Sequence, residues 1–210
     1  MSESGSPERM RDHWWWRPGW HTGRSMYTWH VTFDDQPQLH ELVRSYQTAL
    51  ALLPGLDLIP VRWLHLTIQG IAFTDEVSLQ DIADIAEAAR KRLATQQPVS
   101  LSVDPALVDP EAILLQVSPA GALDPVRAGV RAAIADLRGA TRVPESDHWT
   151  PHISIGYSNS DGPAAPYAKA LNTVRHTPAD LTVSVVHLIE LSRDTHLYKW
   201  TTKAEILLSG

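Results

Sequence analysis

Two runs of alternating apolar and polar residues constrain the fold of this chain more than any other feature. They span residues 61–69 (VRWLHLTIQ) and 150–157 (TPHISIGY), and each carries a histidine and a hydroxyl. Side chains at i and i+2 of a strand point to the same face, so each run predicts a strand with an apolar back and a polar front. We therefore expect the apolar face of each strand to pack in the core and the polar face to carry the functional side chains.

The remaining elements follow from the same kind of pattern. Further strands are predicted at 27–33, 99–103, 113–117, 181–191 and 198–208, with a turn-rich stretch at 104–111. Apolar residues at helical spacing predict helices at 35–50, 79–93, 124–137 and 163–174. Strands in adjacent pairs favour antiparallel hairpins over a parallel sheet, so the predicted fold class is α+β.

Composition limits the chemistry that is available. The 210 residues are 43% hydrophobic and 20% charged, which excludes a disordered chain. No cysteine is present, so thiolate catalysis, disulfides and Cys-ligated zinc are excluded. Ten histidines and eight tryptophans stand out, and the net charge of −6 argues against a surface that grips long nucleic acids.

The two polar fronts each offer an imidazole with a hydroxyl one pleat along the strand. His65 shares its face with Thr67, and His152 shares its face with Ser154. A hydroxyl can donate to a non-bridging phosphate oxygen while an imidazole transfers protons at a bridging one. The bare H-x-[ST] pattern is weak, because one or two matches are expected by chance and His30 with Thr32 is a third. The alternating strand context favours the two later matches over the first as a paired site.

These segments resemble a known family. HLTI at 65–68 and PHISIGYS at 151–158 are similar to the twin motifs of the two-histidine (2H) phosphoesterase superfamily, in its 2′-5′ RNA ligase and cyclic phosphodiesterase branch. The resemblance covers about residues 26–208 and implies a bilobal fold, with two antiparallel sheets flanked by helices and a central cleft. It also implies that His65 and His152 are the catalytic pair and that Thr67 and Ser154 bind phosphate.

The resemblance implies the activity of a phosphodiesterase that needs no metal and no cofactor. Its substrates would be 2′,3′-cyclic phosphates or 2′-5′ linkages of nucleotides or short RNA ends, with reversible 2′-5′ ligation as a variant. One histidine would act as general base and the other as general acid, in an order that the sequence does not decide. The alternative is a catalytically silent nucleotide- or RNA-binding module that uses the same cleft.

Other histidines are weaker candidates. His148 and His152 have the i, i+4 spacing of a helical zinc pair, but the strand pattern around them disfavours it. The remaining six have no partner pattern and are predicted to be surface or satisfied buried residues: His13, His21, His40, His176, His187 and His196.

A tryptophan-rich arm, residues 1–25, precedes a single predicted domain at 26–210. It holds four tryptophans within seven positions and is either a strap that closes the core or a lid that stacks on a base. A monomer in the cytoplasm, without a membrane segment, is expected. Candidate pocket-lining residues, besides the two motifs, are His30, Trp63, Gln69, Trp149, Tyr157, Arg17 and Trp20.

Overall fold

The fold consists of short strands interleaved with four α-helices. A computed structural model describes residues 7–144 and 149–210. Its strands are β1 (Arg9–Met10), β2 (Met26–Thr32), β3 (Leu56–Leu58), β4 (His65–Phe73), β5 (Val99–Asp109), β6 (Ala112–Ser118), β7 (His152–Ser158), β8 (Gly162–Pro163), β9 (Ala179–Val183), β10 (Val185–Ser192) and β11 (Lys199–Leu207). Its helices are α1 (Pro37–Leu50), α2 (Leu79–Arg92), α3 (Asp124–Arg138) and α4 (Ala165–Leu171).

Two antiparallel sheets form the framework. One has four strands in the order β11-β10-β2-β4, and the other has five in the order β3-β7-β6-β5-β9. Helices α2 and α3 pack together on the first sheet, whereas α1 and α4 pack on the second. β4 and β7 contact each other where the two sheets meet. The predicted α+β class and the bilobal arrangement are confirmed.

Two helices, α1 and α3, pack on a different sheet from the one that contains the strand before them in the chain. α1 follows β2 of the four-stranded sheet but packs against β7 and β9 of the five-stranded sheet. α3 follows β6 of the five-stranded sheet but packs against β4. Buried side chains of both sheets consequently belong to one continuous hydrophobic cluster.

Several strand limits differ from those that the sequence predicts. The single run at 181–191 is divided at Ser184 into β9 and β10, which belong to different sheets. β5 continues to Asp109 through the predicted turn-rich stretch, because a bulge between Val103 and Ala106 accommodates Pro105, which has no N–H to donate. The sequence does not predict β3, since three residues are too few to show a period.

The arm runs from one sheet to the other. β1 pairs with β8, and the Arg11 N–H donates to the carbonyl of Pro110 near β6. At the far end, Arg24 forms ion pairs with Asp75 and Glu76, which follow β4. The indole of Trp14 is buried, whereas Trp15 and Trp16 are 47% and 51% exposed. Only part of the tryptophan excess therefore closes the core.

Candidate functional site

A cavity of about 490 Å³ lies between the two sheets, and both sheets and the arm line it. We call it the central cavity. The four-stranded sheet contributes His30, His65 and Thr67, among others, and the five-stranded sheet contributes His152 and Ser154. The structure thus brings the four motif residues together in one cavity.

The two motif histidines are held in the same way. His65 is the first residue of β4, and its Nδ1 lies 2.9 Å from the carbonyl oxygen of Trp63. His152 is the first residue of β7, and its Nδ1 lies 2.9 Å from the carbonyl oxygen of Thr150. A carbonyl oxygen only accepts, so each Nδ1 carries a hydrogen and donates. With Nδ1 committed in this way, Nε2 is the ring nitrogen that remains for proton transfer in each imidazole, and it has no hydrogen-bond partner among the described residues.

The environments of the two imidazoles differ. His65 is 8% exposed, and burial together with the nearby His152 lowers its pKa to about 4. The bond to the Trp63 carbonyl opposes this shift but does not reverse it. His152 is an exposed residue at the cavity wall. At neutral pH, His65 is a neutral ring that can take up a proton.

His30 supports both residues of the first motif. It lies opposite Thr67 in the β2–β4 register, and its ring is stacked on His65 with centroids 4.6 Å apart and planes 3° apart. Its Nε2 lies 3.1 Å from Thr67 Oγ1, and its buried Nδ1 has no hydrogen-bond partner in the described part of the chain. Buried unpaired N–H groups are rarer than unpaired acceptors, so Nε2–H donates to Thr67. The hydroxyl hydrogen of Thr67 is then free for a ligand.

Burial also keeps His30 uncharged. The pKa of this imidazole is well below its ordinary value, first because of desolvation and then because His65 and His187 lie nearby. A neutral ring beside His65 adds no positive charge to the site at neutral pH.

Two β-bulges decide which neighbours of the motifs reach the cavity. In β4, the register with β2 shifts so that Gln69 lies opposite Trp29, on the back of the sheet. Gln69 there accepts a hydrogen bond from Arg131 of α3 and donates to the carbonyl of Pro144. The prediction that Gln69 shares the face of His65 is therefore wrong, because the bulge changes the side on which it points.

The bulge in β7 has the opposite effect on Tyr157. The β6–β7 register shifts between Ile113 and Leu114, so that Tyr157 pairs with Ala112 and lines the cavity together with Ser154. Simple alternation from Ser154 places Tyr157 on the back. As a result, Tyr157 reaches the cavity on the same wall as Ser154.

The structure places two predicted tryptophans beside the cavity rather than in its described lining. Trp63 belongs to a 3₁₀ turn (Val61–Trp63) and not to the strand, and its ring packs edge-on against Trp200 at 4.8 Å. The indole N–H of Trp149 donates to the carbonyl of Thr67, 3.0 Å away. Trp149 therefore contacts β4 and Trp63 contacts Trp200 of β11, whereas His30, Arg17 and Trp20 line the cavity.

Further residues of the arm and of the segment between β10 and β11 reach the cavity or its wall, and the sequence pattern does not predict them. His13 lines the cavity, stacks on Tyr157 at 4.1 Å and lies 3.0 Å from the Tyr198 hydroxyl. Burial and the charges of Arg17 and Arg193 lower its pKa to about 3. The buried Arg193 donates to the carbonyl of His13. No local pattern reveals these contacts, because those of His13 with Arg193 and Tyr198 join residues 180 and 185 positions apart. Tyr157 is also distant from His13 in sequence.

Carboxylates also reach this end of the cavity. Asp109 and Glu111 line it, and Glu111 forms an ion pair with Arg17. Within residues 7–144 and 149–210, no group of three or more His, Asp or Glu side chains is arranged to hold a metal ion. His148, the other member of the disfavoured zinc pair with His152, lies outside the described residues.

The fold is that of the two-histidine phosphoesterase class. The chain belongs to the 2′-5′ RNA ligase superfamily, whose family model matches residues 27–195. Membership supports a 2H phosphoesterase-type enzyme activity. No curated protein matches the chain in sequence at a significant level. In the described part of the chain, no helix is long and apolar enough to cross a membrane.

Solved structures of low sequence identity share this fold. TT0787 of Thermus thermophilus is 18% identical with a TM-score of 0.68, covering 88% of this chain and 98% of its own. E. coli LigT complexed with 3′-AMP is 14% identical with a TM-score of 0.64, covering 89% and 99%. E. coli LigT complexed with ATP is 16% identical with a TM-score of 0.58, with the same coverage.

Proposed function

We propose that this protein hydrolyses 2′,3′-cyclic phosphates or 2′-5′ phosphodiester linkages of nucleotides or RNA ends, without a metal ion or cofactor. The observation that carries the proposal is the matched anchoring of His65 and His152 by backbone carbonyls. It leaves two Nε2 atoms available for proton transfer in one cavity that also holds two hydroxyls. The same groups would support 2′-5′ ligation if a ribose hydroxyl attacked the cyclic phosphate in place of water.

The difference in burial supports an assignment of roles. His65, with a pKa of about 4, is neutral at neutral pH and acts as the general base that takes a proton from the attacking water. His152 then gives a proton to the departing ribose oxygen. The water oxygen bonds to phosphorus as the bond to the ribose oxygen breaks, and a phosphomonoester is released. In ligation, a ribose hydroxyl of a second nucleotide replaces the water: it gives its proton to His65, and His152 protonates the ribose oxygen that leaves the cyclic phosphate.

The hydroxyls orient the phosphate between the two imidazoles. Thr67 Oγ1 accepts from His30, which leaves its hydrogen to donate to a non-bridging oxygen. Ser154 lines the opposite wall, on β7. Hydrogen-bond donors that already point at the phosphate oxygens stabilise the negative charge that develops in the transition state. They lower the activation barrier because the site does not have to rearrange during the reaction.

A small nucleotide or an RNA end is the substrate that the charges favour. The net charge is −6, and Arg17, a cation of the cavity lining, is paired with Glu111. A groove for long RNA requires an excess of cations. The complexes of E. coli LigT with 3′-AMP and ATP support a nucleotide ligand for this fold.

The test is turnover of adenosine 2′,3′-cyclic phosphate with and without a chelator. We expect hydrolysis that the chelator does not change, and a fall in kcat of about 10²–10⁴-fold for His65→Ala and for His152→Ala. His21→Ala, which alters an exposed histidine outside the described cavity lining, is the matched control. Below pH 4, kcat/KM should fall as His65 becomes protonated.

Two results would contradict this assignment. Wild-type turnover by either motif variant would remove that histidine from the mechanism. Absence of turnover on cyclic nucleotides, 2′-5′ dinucleotides and tRNA half-molecules, combined with tight nucleotide binding, would instead identify a silent binding module.

A further inference from the structure

The central cavity continues beyond the histidines as an apolar shelf on the four-stranded sheet. Its residues are Met26, Thr28, Gly70 and Leu191, which all line the cavity. Thr28 pairs with Gly70 across β2 and β4, and Met26 pairs with Leu191 across β2 and β10. They lie on the same face as His30 and Thr67. The shelf is therefore a direct extension of the site surface.

The distance from the histidines to the shelf is about the length of one nucleoside. At ~3.3 Å per strand residue, Thr28 is about 7 Å from His30 along β2 and Met26 is about 13 Å away. A group on the shelf can thus be joined to a phosphate at His65 through a ribose. The two parts of the cavity fit two parts of one ligand: a polar centre for phosphate and an apolar surface for a flat ring.

Trp20 closes this end of the cavity. It is half-buried, lines the cavity, and packs edge-on against Phe73 with centroids 5.2 Å apart. Phe73 lies opposite Met26 in the β2–β4 register, so Trp20 is next to the shelf. Arg24 covers the Phe73 ring at 3.6 Å and is paired with Asp75, which anchors the arm at this point.

Gly70 leaves open the space that the ring would take. Its φ is not positive, so the backbone does not require glycine at this position. A Cβ atom built there would meet only the Met26 Sδ within 4 Å, at 3.8 Å, which is an ordinary contact. A Cβ atom at Gly70 can therefore extend into the shelf without a backbone clash.

We propose that this shelf, closed by Trp20 of the arm, is a nucleobase subsite for the ligand whose phosphate lies between His65 and His152. The inference rests on the proposed function and adds a residue that lies outside residues 27–195, the part that matches the family model. An indole next to an apolar surface offers a base a stacking partner, and such stacking tolerates different bases. Affinity for nucleotides then depends on the arm, whereas the chemical step does not.

The first experiment compares a substrate that has a base with one that lacks it. The substrates are adenosine 2′,3′-cyclic phosphate and 1-O-methylribose 2,3-cyclic phosphate. For Trp20→Ala we expect KM for the adenosine substrate to rise about tenfold with kcat little changed, and no change for the base-free substrate. Trp20→Phe should retain most of the affinity. Trp16→Ala, which alters an exposed indole outside the described cavity lining, is the matched control.

A second variant tests the shelf without altering the arm. Gly70→Val should raise KM for the adenosine substrate while it leaves turnover of the base-free substrate intact, because it fills the shelf and not the histidine centre. Equal losses on both substrates for Trp20→Ala and Gly70→Val would overturn the subsite, as would unchanged KM in both variants.

Calorimetric binding of 3′-AMP and ribose 3-phosphate separates this inference from the proposed function. If the wild type turns over neither substrate but binds 3′-AMP more tightly than ribose 3-phosphate, and Trp20→Ala removes that preference, the subsite stands and the phosphodiesterase activity fails. If the wild type shows no preference for 3′-AMP, the subsite is wrong whatever the turnover.

Discussion

At the scale of single residues, the site depends on how hydrogen bonds fix imidazoles. The Nδ1 atoms of His65 and His152 are both committed to backbone carbonyls, so neither ring can turn without losing a hydrogen bond. His30 links His65 to Thr67, because its ring stacks on His65 and its Nε2 forms a hydrogen bond with the threonine hydroxyl. The first motif is therefore a unit of three side chains rather than of two.

We predict that His30 acts as a positioning residue for Thr67. His30→Phe keeps a ring over His65 but removes the donor to Thr67, so kcat should fall on the order of tenfold if one directed hydroxyl contact is lost. In a Thr67→Val background, the same change should have little further effect. The measurement is a double-mutant cycle on kcat/KM, with an expected coupling of about 0.5–3 kcal/mol. Additive losses would assign His30 a structural role only.

At the scale of elements, the β-bulges matter more than the strands that contain them. Alternation predicts the fronts of β4 and β7 correctly up to the bulge, where Thr67 and Ser154 still point into the cavity. Beyond each bulge, the faces are reversed, so that Gln69 leaves the cavity and Tyr157 enters it. The alternation of apolar and polar residues does not show where a bulge inserts an extra residue into a strand.

We predict that Gln69→Ala lowers stability but leaves catalysis unchanged. The variant removes the hydrogen bonds of a buried amide to Arg131 and to the Pro144 carbonyl. The free energy of unfolding should fall by about 1–3 kcal/mol. Urea denaturation and kcat/KM, measured on the same preparation, check both parts. A large loss of kcat/KM below the unfolding transition would mean that Gln69 contacts the ligand.

The sequence therefore predicts the motif centre well and its surroundings poorly. His65 and His152 with their hydroxyls can be recognised because strand period and residue type are local signals. His13 and Arg193 cannot, since their contacts with each other and with β7 join distant parts of the chain. For the same reason, one apolar run at 181–191 does not reveal that its two halves enter different sheets.

At the scale of the whole molecule, the burial of uncharged histidines makes the stability of the folded protein depend on pH. His13, His30 and His65 are all buried. Burial lowers the pKa of His13 to about 3 and that of His65 to about 4, and it holds the pKa of His30 well below its ordinary value. Between pH 6.5 and about 4, the unfolded chain binds protons on these rings that the folded chain does not. Stability is fully present above pH 6.5 and is lost as the pH falls towards 4.

We predict a steep decline of stability below pH 6.5. Each of the three histidines can remove up to about 1.4 kcal/mol from the free energy of unfolding per pH unit in that window. Urea denaturation at pH 7.5 and pH 5.0 measures the decline. His30→Phe removes one of the three rings, so its decline between the two pH values should be smaller than that of the wild type. An equal decline would show that His30 is already charged in the folded protein.

The arrangement of the sheets has a consequence for how the protein is made. β2 lies between β4 and β10 in its sheet, and His30 lies opposite both Thr67 and His187. On the ribosome, β2 and β4 emerge early, whereas β10 emerges more than 100 residues later. Until then, one edge of β2 has no strand beside it, and the five-stranded sheet still lacks β9. Vectorial synthesis therefore completes the surface that carries His30 only near the end of translation, and a polypeptide released early would expose unpaired strand edges.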